Sequence, residues 1–593
     1  MKFILSLIFR ANRLIVWLQN RFTPKQFLIF SSILIGLTAG LAAVVLKLAV
    51  HFISGHIASF SGTNQFLVAA FPVIGIALCA MFVHYLNGNK LGKGMANILH
   101  SIARKSSLLP KDQTYSHLIT SALTVGFGGS SGLESPIVTT GAAIGSNFGR
   151  TYKLSYKDRT LLLACGAAAG IAGAFNTPIA GVLFALEVLL VEANISAFIP
   201  ILIAAASGAL CSKVILQEDL LLLFKLREPF NYFNVPYYFL LGITCGLGSY
   251  YYSKAFLFTE NYFKGIRAKW TKVLVGGLWL FLLILVVPPL FGEGYASIKM
   301  LSELNGQAVF TNSVLSLNQP SLWLIYGLLL LVILLKPFAT GATIGGGGNG
   351  GNFAPSLIMG AFVGYLFSSV IGTIGLANLP VSNFTLVAMA GLLSGVFHAP
   401  LTGIFIIAEI TGGYELIIPL MIVSALSYAV SKYFMPLNMD QLKLSEKEKI
   451  VTTNTDSYLL SNINMEQFVE NDFTEVPHQA NLRELVELIS RSRRNTFPVT
   501  DAQGQLKGLI AIDDIREIMF KQELYDKMSV KELMRIPGYV ITEQDDIRSA
   551  MKLFDESHLW NIPVVNNKQY KGFISKSTIL EKYREVLIQT SLE

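Results

Sequence analysis

Long apolar stretches dominate the first 440 residues, and they come in two kinds. Residues 28–53, 66–86, 196–215, 233–258, 271–291, 322–338 and 415–434 are continuous apolar runs. A membrane-crossing helix needs about 20 such residues. Between them lie shorter pieces broken by glycine and proline, at 115–131, 137–148, 158–175, 177–191, 354–373, 382–397 and 399–411. These interrupted pieces predict helices that do not simply cross the bilayer. From Gln441 the pattern turns ordinary: amphipathic helices at 482–492 and 547–558 alternate with short apolar strands, and no span remains.

The broken pieces repeat. GGSSGLESP-IVTT-GAAIG (128–145) parallels GGNGGNFAP-SLIM-GAFVG (347–364), and GAFNTPIAGVLFALE (173–187) parallels GVFHAPLTGIFIIAE (395–409). Two matches in the same order, about 220 residues apart, indicate duplication. Duplicated halves with Gly/Pro-interrupted apolar segments at matching places point to a transporter-type binding site. Irregular backbone is tolerated at membrane depth only where protein buries it or it lines a cavity. The proline sits in the first turn of the following helix, where its missing N–H costs nothing. The free amides and positive helix end then make an anion site.

Glu134 falls in the first of these loops. A charge at the bilayer centre costs about 2.5 to 3.5 kcal/mol on insertion scales. As an anion at an anion site, its carboxylate can fill the site itself, and on protonation swing aside to admit an external anion. The plainer alternative is a glutamate that caps its helix or snorkels.

Composition agrees with the pattern. Of 593 residues 52% are hydrophobic and only 14% charged, against about 25% charged in soluble proteins. The net charge of +8 calls for no nucleic-acid partner, because a positive-inside bias accounts for it. Residues 1–25 hold five basic and no acidic residues. No small-residue cleavage site follows the short apolar core, so 1–27 reads as an amphipathic helix on the cytoplasmic membrane surface. Cys79, Cys165, Cys211 and Cys245 are scattered in apolar segments without metal-ligand or disulfide spacing, and the eight histidines show no metal spacing either.

At these loops the chain resembles the CLC family of chloride channels and proton-coupled chloride antiporters, over about residues 28–440. The resemblance implies an all-α polytopic membrane domain of two inverted-topology repeats, a homodimer, and one anion pathway per subunit. The family's Gly-Lys/Arg-Glu-Gly-Pro loop reads here as GLESP (132–136), which makes Glu134 the gating glutamate and places Gly132 on the path. Its Gly-x-Phe-x-Pro loop is intact as GNFAP (351–355), so the amides of Asn352 and Phe353 would face the anion.

Three positions depart from the family pattern. The Gly-Ser-Gly-Ile-Pro loop reads GKGMA (92–96): Lys93 replaces the anion-binding serine, and supplies positive charge to the anion, pairs with Glu134, or snorkels to water. The pore tyrosine aligns with Asn438, or with Met439 if slipped by one. Glu187, at the repeat position shared with Glu409, is followed by Val188, where many antiporters carry a proton-relaying glutamate. An apolar side chain cannot relay a proton, which favours passive conduction over exchange. Glu187 and Glu409 themselves read as structural caps.

In the tail, FPVTDAQGQLKGLIAIDDI (497–515) matches IPVVNNKQYKGFISKSTIL (562–580). This resembles a tandem pair of cystathionine-β-synthase-type (CBS) modules, a soluble α/β pair spanning 441–593, with copies at about 460–520 and 526–590. Such pairs often bind an adenine nucleotide through a Ser/Thr three residues before an Asp. Each copy keeps half of that signature: Ala511 with Asp514, and Ser575 with Thr578. The other reading is a purely structural dimerisation module.

Weaker motifs lead elsewhere. GGSSG (128–132) fits the hydrolase elbow formally but lacks a strand–turn–helix context and a histidine partner; the chain is not read as an enzyme. His398, opposite Asn176 in the repeat, reads as polar packing or a helix boundary. The expectation is a multi-pass protein of the plasma (inner) membrane, with its N-terminus and CBS pair cytoplasmic. It passes chloride or a related anion under control of Glu134, among membrane lipids, with no required cofactor. The alternatives are proton-coupled anion exchange and a non-conducting regulator that senses a CBS ligand.

Overall fold

The computed structural model describes residues 13, 15–61, 64–86, 88, 91–92, 94–190, 195–217, 228–302, 310, 321–448, 468–542, 545, 547–557 and 559–581. Lys93 and residues 1–12 and 14 of the expected N-terminal helix lie outside these residues. The chain forms two compact units, Met1–Ile450 and Val451–Glu593.

The first unit is helical, and its helices recur in the same order of long and short. Pro24–Ser61, Gln65–Tyr85, Met95–Arg104, Gln113–Gly126, Glu134–Thr151, Tyr156–Phe175, Pro178–Phe184 and Ile195–Leu216 form the first half. The second comprises Val235–Gly265, Lys269–Val286, Tyr295–Ser302, Leu322–Gly345, Phe353–Ile374, Val381–Phe397, Pro400–Ile410 and Ile417–Phe434. Among the described residues, eight helices are long and apolar enough to cross a membrane. On Pro24–Ser61, Leu37, Leu41, Val45, Leu48 and Phe52 form an exposed stripe at helical spacing, the apolar face that lipid would cover. Lipid gives helices no hydrophobic reason to associate, so close packing over small residues must hold them together. A Cβ at Gly145 would lie 1.9 Å from the Leu162 carbonyl oxygen, and one at the equivalent Gly364 2.3 Å from that of Phe384. Glycine therefore lets backbone touch backbone at the same place in each half.

Equivalent loops of the two halves hold each other. Gly132 and Gly351 exchange backbone bonds, the Gly132 amide to the Gly351 carbonyl at 3.0 Å and the reverse at 2.8 Å. An antiparallel bridge between equivalent residues is what a two-fold axis between inverted repeats produces. The Ser130 amide donates to Thr343 Oγ1 (3.1 Å) and the Asn349 amide to Thr124 Oγ1 (2.9 Å), again at matched positions. Buried Lys336 donates to Ser130 Oγ (3.0 Å); its counterpart His117 accepts from Asn349 Nδ2 (3.1 Å). Asn176 and His398 both adopt left-handed backbone as helix C-caps, with φ of 58° and 56°.

The first unit continues past residue 440 into a helix. Residues 439–448 form a further helix that packs on Met95–Arg104 and buries Met439 and Leu444. Its charged composition, MDQLKLSEKE, hid it among ordinary soluble sequence.

The second unit holds two three-stranded sheets of one design. Val476–Pro477 runs parallel to Thr496–Thr500, which pairs antiparallel with Leu506–Ala511. Ile541–Thr542, Asn561–Asn566 and Gln569–Ser575 repeat the pattern. Both central strands carry an irregularity one residue past the partner glycine, at Val499/Thr500 and Val564/Val565. The Leu482–Arg491 helix starts in a capping box of Asn481 and Glu484, which satisfies free amides reciprocally.

Candidate functional site

The site forms where the cross-repeat bridge brings two helix starts together. Glu134 is the first residue of Glu134–Thr151, and Asn352 is the N-cap of Phe353–Ile374. The first four amides of a helix have no internal partner, so both starts present free donors at one place. Glu134 is 2% exposed. Its Oε1 accepts from the Tyr295 hydroxyl at 3.0 Å, and its buried Oε2 has no hydrogen-bond partner. The carboxylate lies against Gly132: a Cβ there would sit 1.9 Å from Oε2 and 2.9 Å from Ala354 Cβ. Glycine at 132 is therefore what admits the carboxylate to the start of the other half's helix.

Behind this lies a cavity of about 80 Å³, lined by Glu134, Gly351, Asn352 and Phe353 among others. Phe353 packs between Phe175 and Phe397, with ring centroids 5.9 and 5.5 Å away. Those two phenylalanines are the matched Gly-x-Phe residues of the repeat. The Tyr252 hydroxyl donates to Asn352 Oδ1 (3.1 Å) and fixes that loop. The lining also takes in Gly94, Met95, Glu260, Asp440 and Lys443. Lys443 Nζ lies 2.7 Å from Glu260 Oε2 and 4.8 Å from the Phe256 ring centre.

The structure thus brings Glu134, Gly132, Asn352 and Phe353 together. It sets Asn438 apart from the cavity lining. Its Nδ2 donates to the Phe397 carbonyl (2.9 Å), and its Oδ1 accepts from the Gln441 amide (2.9 Å). Asn438 thereby caps the start of the last helix of the unit. Val188 lies half-buried in a π-helical turn, Ala185–Leu189. Glu187 accepts from the amides of Leu401 (3.1 Å) and Thr402 (2.9 Å) and the Thr402 hydroxyl (2.8 Å). Glu409 accepts from the amides of Ile179 (3.1 Å) and Ala180 (2.9 Å). Each repeat glutamate caps the other half's post-proline helix.

Sequence reasoning missed Tyr295, Tyr252, Glu260, Asp440 and Lys443. The two tyrosines sit in apolar helices, where packing is the default reading. The three charged residues lie at helix positions that carried no motif.

In the second unit, Ser575 Oγ donates to Glu470 Oε1 (2.8 Å), and Thr578 Oγ1 donates to the same oxygen. Arg494 clamps Glu470 Oε2 at 2.6 Å and Asp472 at 2.7 Å. Asp514 accepts from the Ala511 amide (3.3 Å) and pairs with Arg535. Both half-signatures are engaged by the chain itself.

A membrane unit of two inverted repeats, whose paired glycine loops present helix starts and a carboxylate to one cavity, defines an ion-translocation protein. The family model for voltage-gated chloride channels matches residues 75–432, and CBS-domain models match 466–521 and 530–585. The chain belongs to the voltage-gated chloride channel (CLC) family and is an anion transporter of that family. A ClcB-like protein of Ralstonia nicotianae is 30% identical over 346 residues, 57% of this chain and 76% of its own. The H(+)/Cl(−) exchange transporter ClcA of Vibrio cholerae is 27% identical over 435 residues, 68% of this chain and 87% of its own. The crystal structure of a slow cyanobacterial Cl−/H+ antiporter shares the fold, with a TM-score of 0.60 at 21% identity, over 72% of this chain and 98% of that one.

Proposed function

We propose that this chain moves chloride, or a similar small monovalent anion, in exchange for protons, with Glu134 as the gate. The observation that carries the reading is the Glu134 carboxylate at the Gly132–Gly351 bridge, in one cavity with Asn352 and Phe353. Ionised, it fills the place an anion would take beside the free amides. Protonated, it loses that attraction and yields to the anion. One proton then accompanies each opening, and coupling follows if the proton leaves on the opposite side. The likeness to a proton/chloride exchange transporter supports exchange.

Passive conduction is the second reading, favoured by Val188. The CBS pair acts structurally in this account, because Glu470 already holds Ser575 and Thr578. The N-terminus and CBS pair face the cytoplasm of the plasma membrane, on the five basic residues of 1–25, and the protein works as a homodimer. The test is efflux from liposomes holding the purified chain under a chloride gradient, with anion and internal pH followed together. Stoichiometric proton movement supports exchange, chloride flux alone supports the passive path, and no flux contradicts anion transport.

A further inference from the structure

Glu134 needs a route for its proton towards the cavity's other end, and the family's usual relay position holds Val188. The neighbouring Glu187 cannot substitute, since its two oxygens accept three hydrogen bonds from the opposite half. Glu409 is likewise engaged by two amides. The cavity offers two other carboxylates. Glu260 projects from the last turns of Val235–Gly265, and Asp440 from the first turn of Met439–Glu448. Both line the same cavity as Glu134, whose Oε2 is buried without a hydrogen-bond partner. A space of about 80 Å³ has room for several waters, and Glu134, Ser135, Asn352, Glu260, Asp440 and Lys443 in its lining give them polar partners.

We propose that Glu260 and Asp440 are the proton-relay carboxylates of this chain, passing protons through cavity water to Glu134. The inference rests on the anion-exchange reading above. Among the described cavity-lining residues Lys443 is the single cation, and it pairs with Glu260 at 2.7 Å. Two carboxylates therefore share one positive charge, so a proton can be taken up by one without stranding the cation. Asp440 also faces the start of Met95–Arg104 at Gly94. Among the described residues, Lys443, Glu260 and Asp440 are the charged groups that line the cavity with Glu134. Glu293, Lys336 and Lys47 lie within electrostatic reach at the Glu134 end, where Tyr295 holds Oε1. Each hand-over breaks one O–H bond and makes another: bulk water to Asp440 or Glu260, then through cavity water to Glu134 and out. No electrons move, and the anion travels the opposite way.

The test compares chloride and proton fluxes in liposomes for the whole chain and for Glu260→Gln, Asp440→Asn and Glu260→Asp. The neutral variants should keep chloride flux while proton flux falls by about a hundredfold or more, the low end expected of a lost acid–base group. Glu260→Asp should restore proton flux, which a structural role would not require. Unchanged proton flux in both neutral variants overturns the relay. So does loss of both fluxes in every variant, Glu260→Asp included, which would assign the pair to folding. Chloride flux without proton movement in the unaltered chain overturns the relay but leaves anion transport standing. No anion flux from it overturns both.

Discussion

At the residue scale, one hydroxyl holds the gate. Tyr295 donates to Glu134 Oε1, and a hydrogen bond to a charged group contributes about 1.5–3 kcal/mol. Tyr295→Phe removes it and destabilises the blocking carboxylate, so chloride flux at neutral pH should rise by about tenfold on that scale. Unchanged flux in the liposome assay would deny Tyr295 this role. Glu134 was legible in the sequence because a lone acid sat between a glycine turn and a proline in an apolar chain. Tyr295 was not, because its partner lies 161 residues away and a tyrosine in a greasy helix packs by default. Asn438 was legible as a polar residue in place of a tyrosine. Its bond to the Phe397 carbonyl was not, because only the fold brings that group near.

At the element scale, the reciprocal caps tie the halves together. Glu187→Ala leaves the amides of Leu401 and Thr402 without their acceptor. It should cost about 1.5–3 kcal/mol, since the lost bonds are charge-assisted, read as a lower Tm of the purified protein. It should not abolish proton flux in the protein that remains folded, because Glu187 acts as a cap. Abolished proton flux at unchanged Tm would contradict that.

In the second unit, Asp501 organises the turn before Leu506–Ala511. Its carboxylate accepts from the amides of Gln505 (2.9 Å) and Gln503 (3.0 Å) and pairs with Lys507 (3.0 Å). The Gln505 amide, then Lys507, holds its carboxyl below the usual range. A depressed folded value means the stability it contributes is present above the unfolded value, near pH 4, and is lost as pH falls through the folded one. Asp501→Asn should flatten that part of the acid unfolding curve. An unchanged curve would remove Asp501 from the account. The longer helices were legible from apolar length and the Glu187 and Glu409 caps from their matched repeat positions. The Met95–Arg104, Tyr295–Ser302 and Met439–Glu448 helices were not, because short helices depend on what they pack against.

At the scale of the whole molecule, duplication explains most of the design. Paired loops, glycine contacts, left-handed C-caps and glutamate caps all occur at matched positions in the two halves. Function enters where the halves differ: Glu134 has Phe353 as its counterpart, so one helix start carries an acid and the other leaves its amides open. That asymmetry was readable from aligning the two loops. The inner carboxylates were not, because they stand outside the repeat motifs. The CBS pair was readable as a repeat, but its self-engagement through Glu470 was not. A nucleotide bound at a Kd of about 10 μM would stabilise the protein by about 2.7 kcal/mol at about 1 mM. Neither AMP nor ATP should raise the Tm of the full chain under those conditions, and a clear rise would overturn the structural reading of the pair.

The central claim is that the Glu134 carboxylate closes an anion path until it is protonated. The most direct measurement is chloride flux through the reconstituted chain as a function of pH, for the natural sequence and for Glu134→Gln. The account predicts flux that rises as pH falls in the natural chain, and flux that is high and independent of pH in Glu134→Gln. The same pH dependence in both proteins would contradict it.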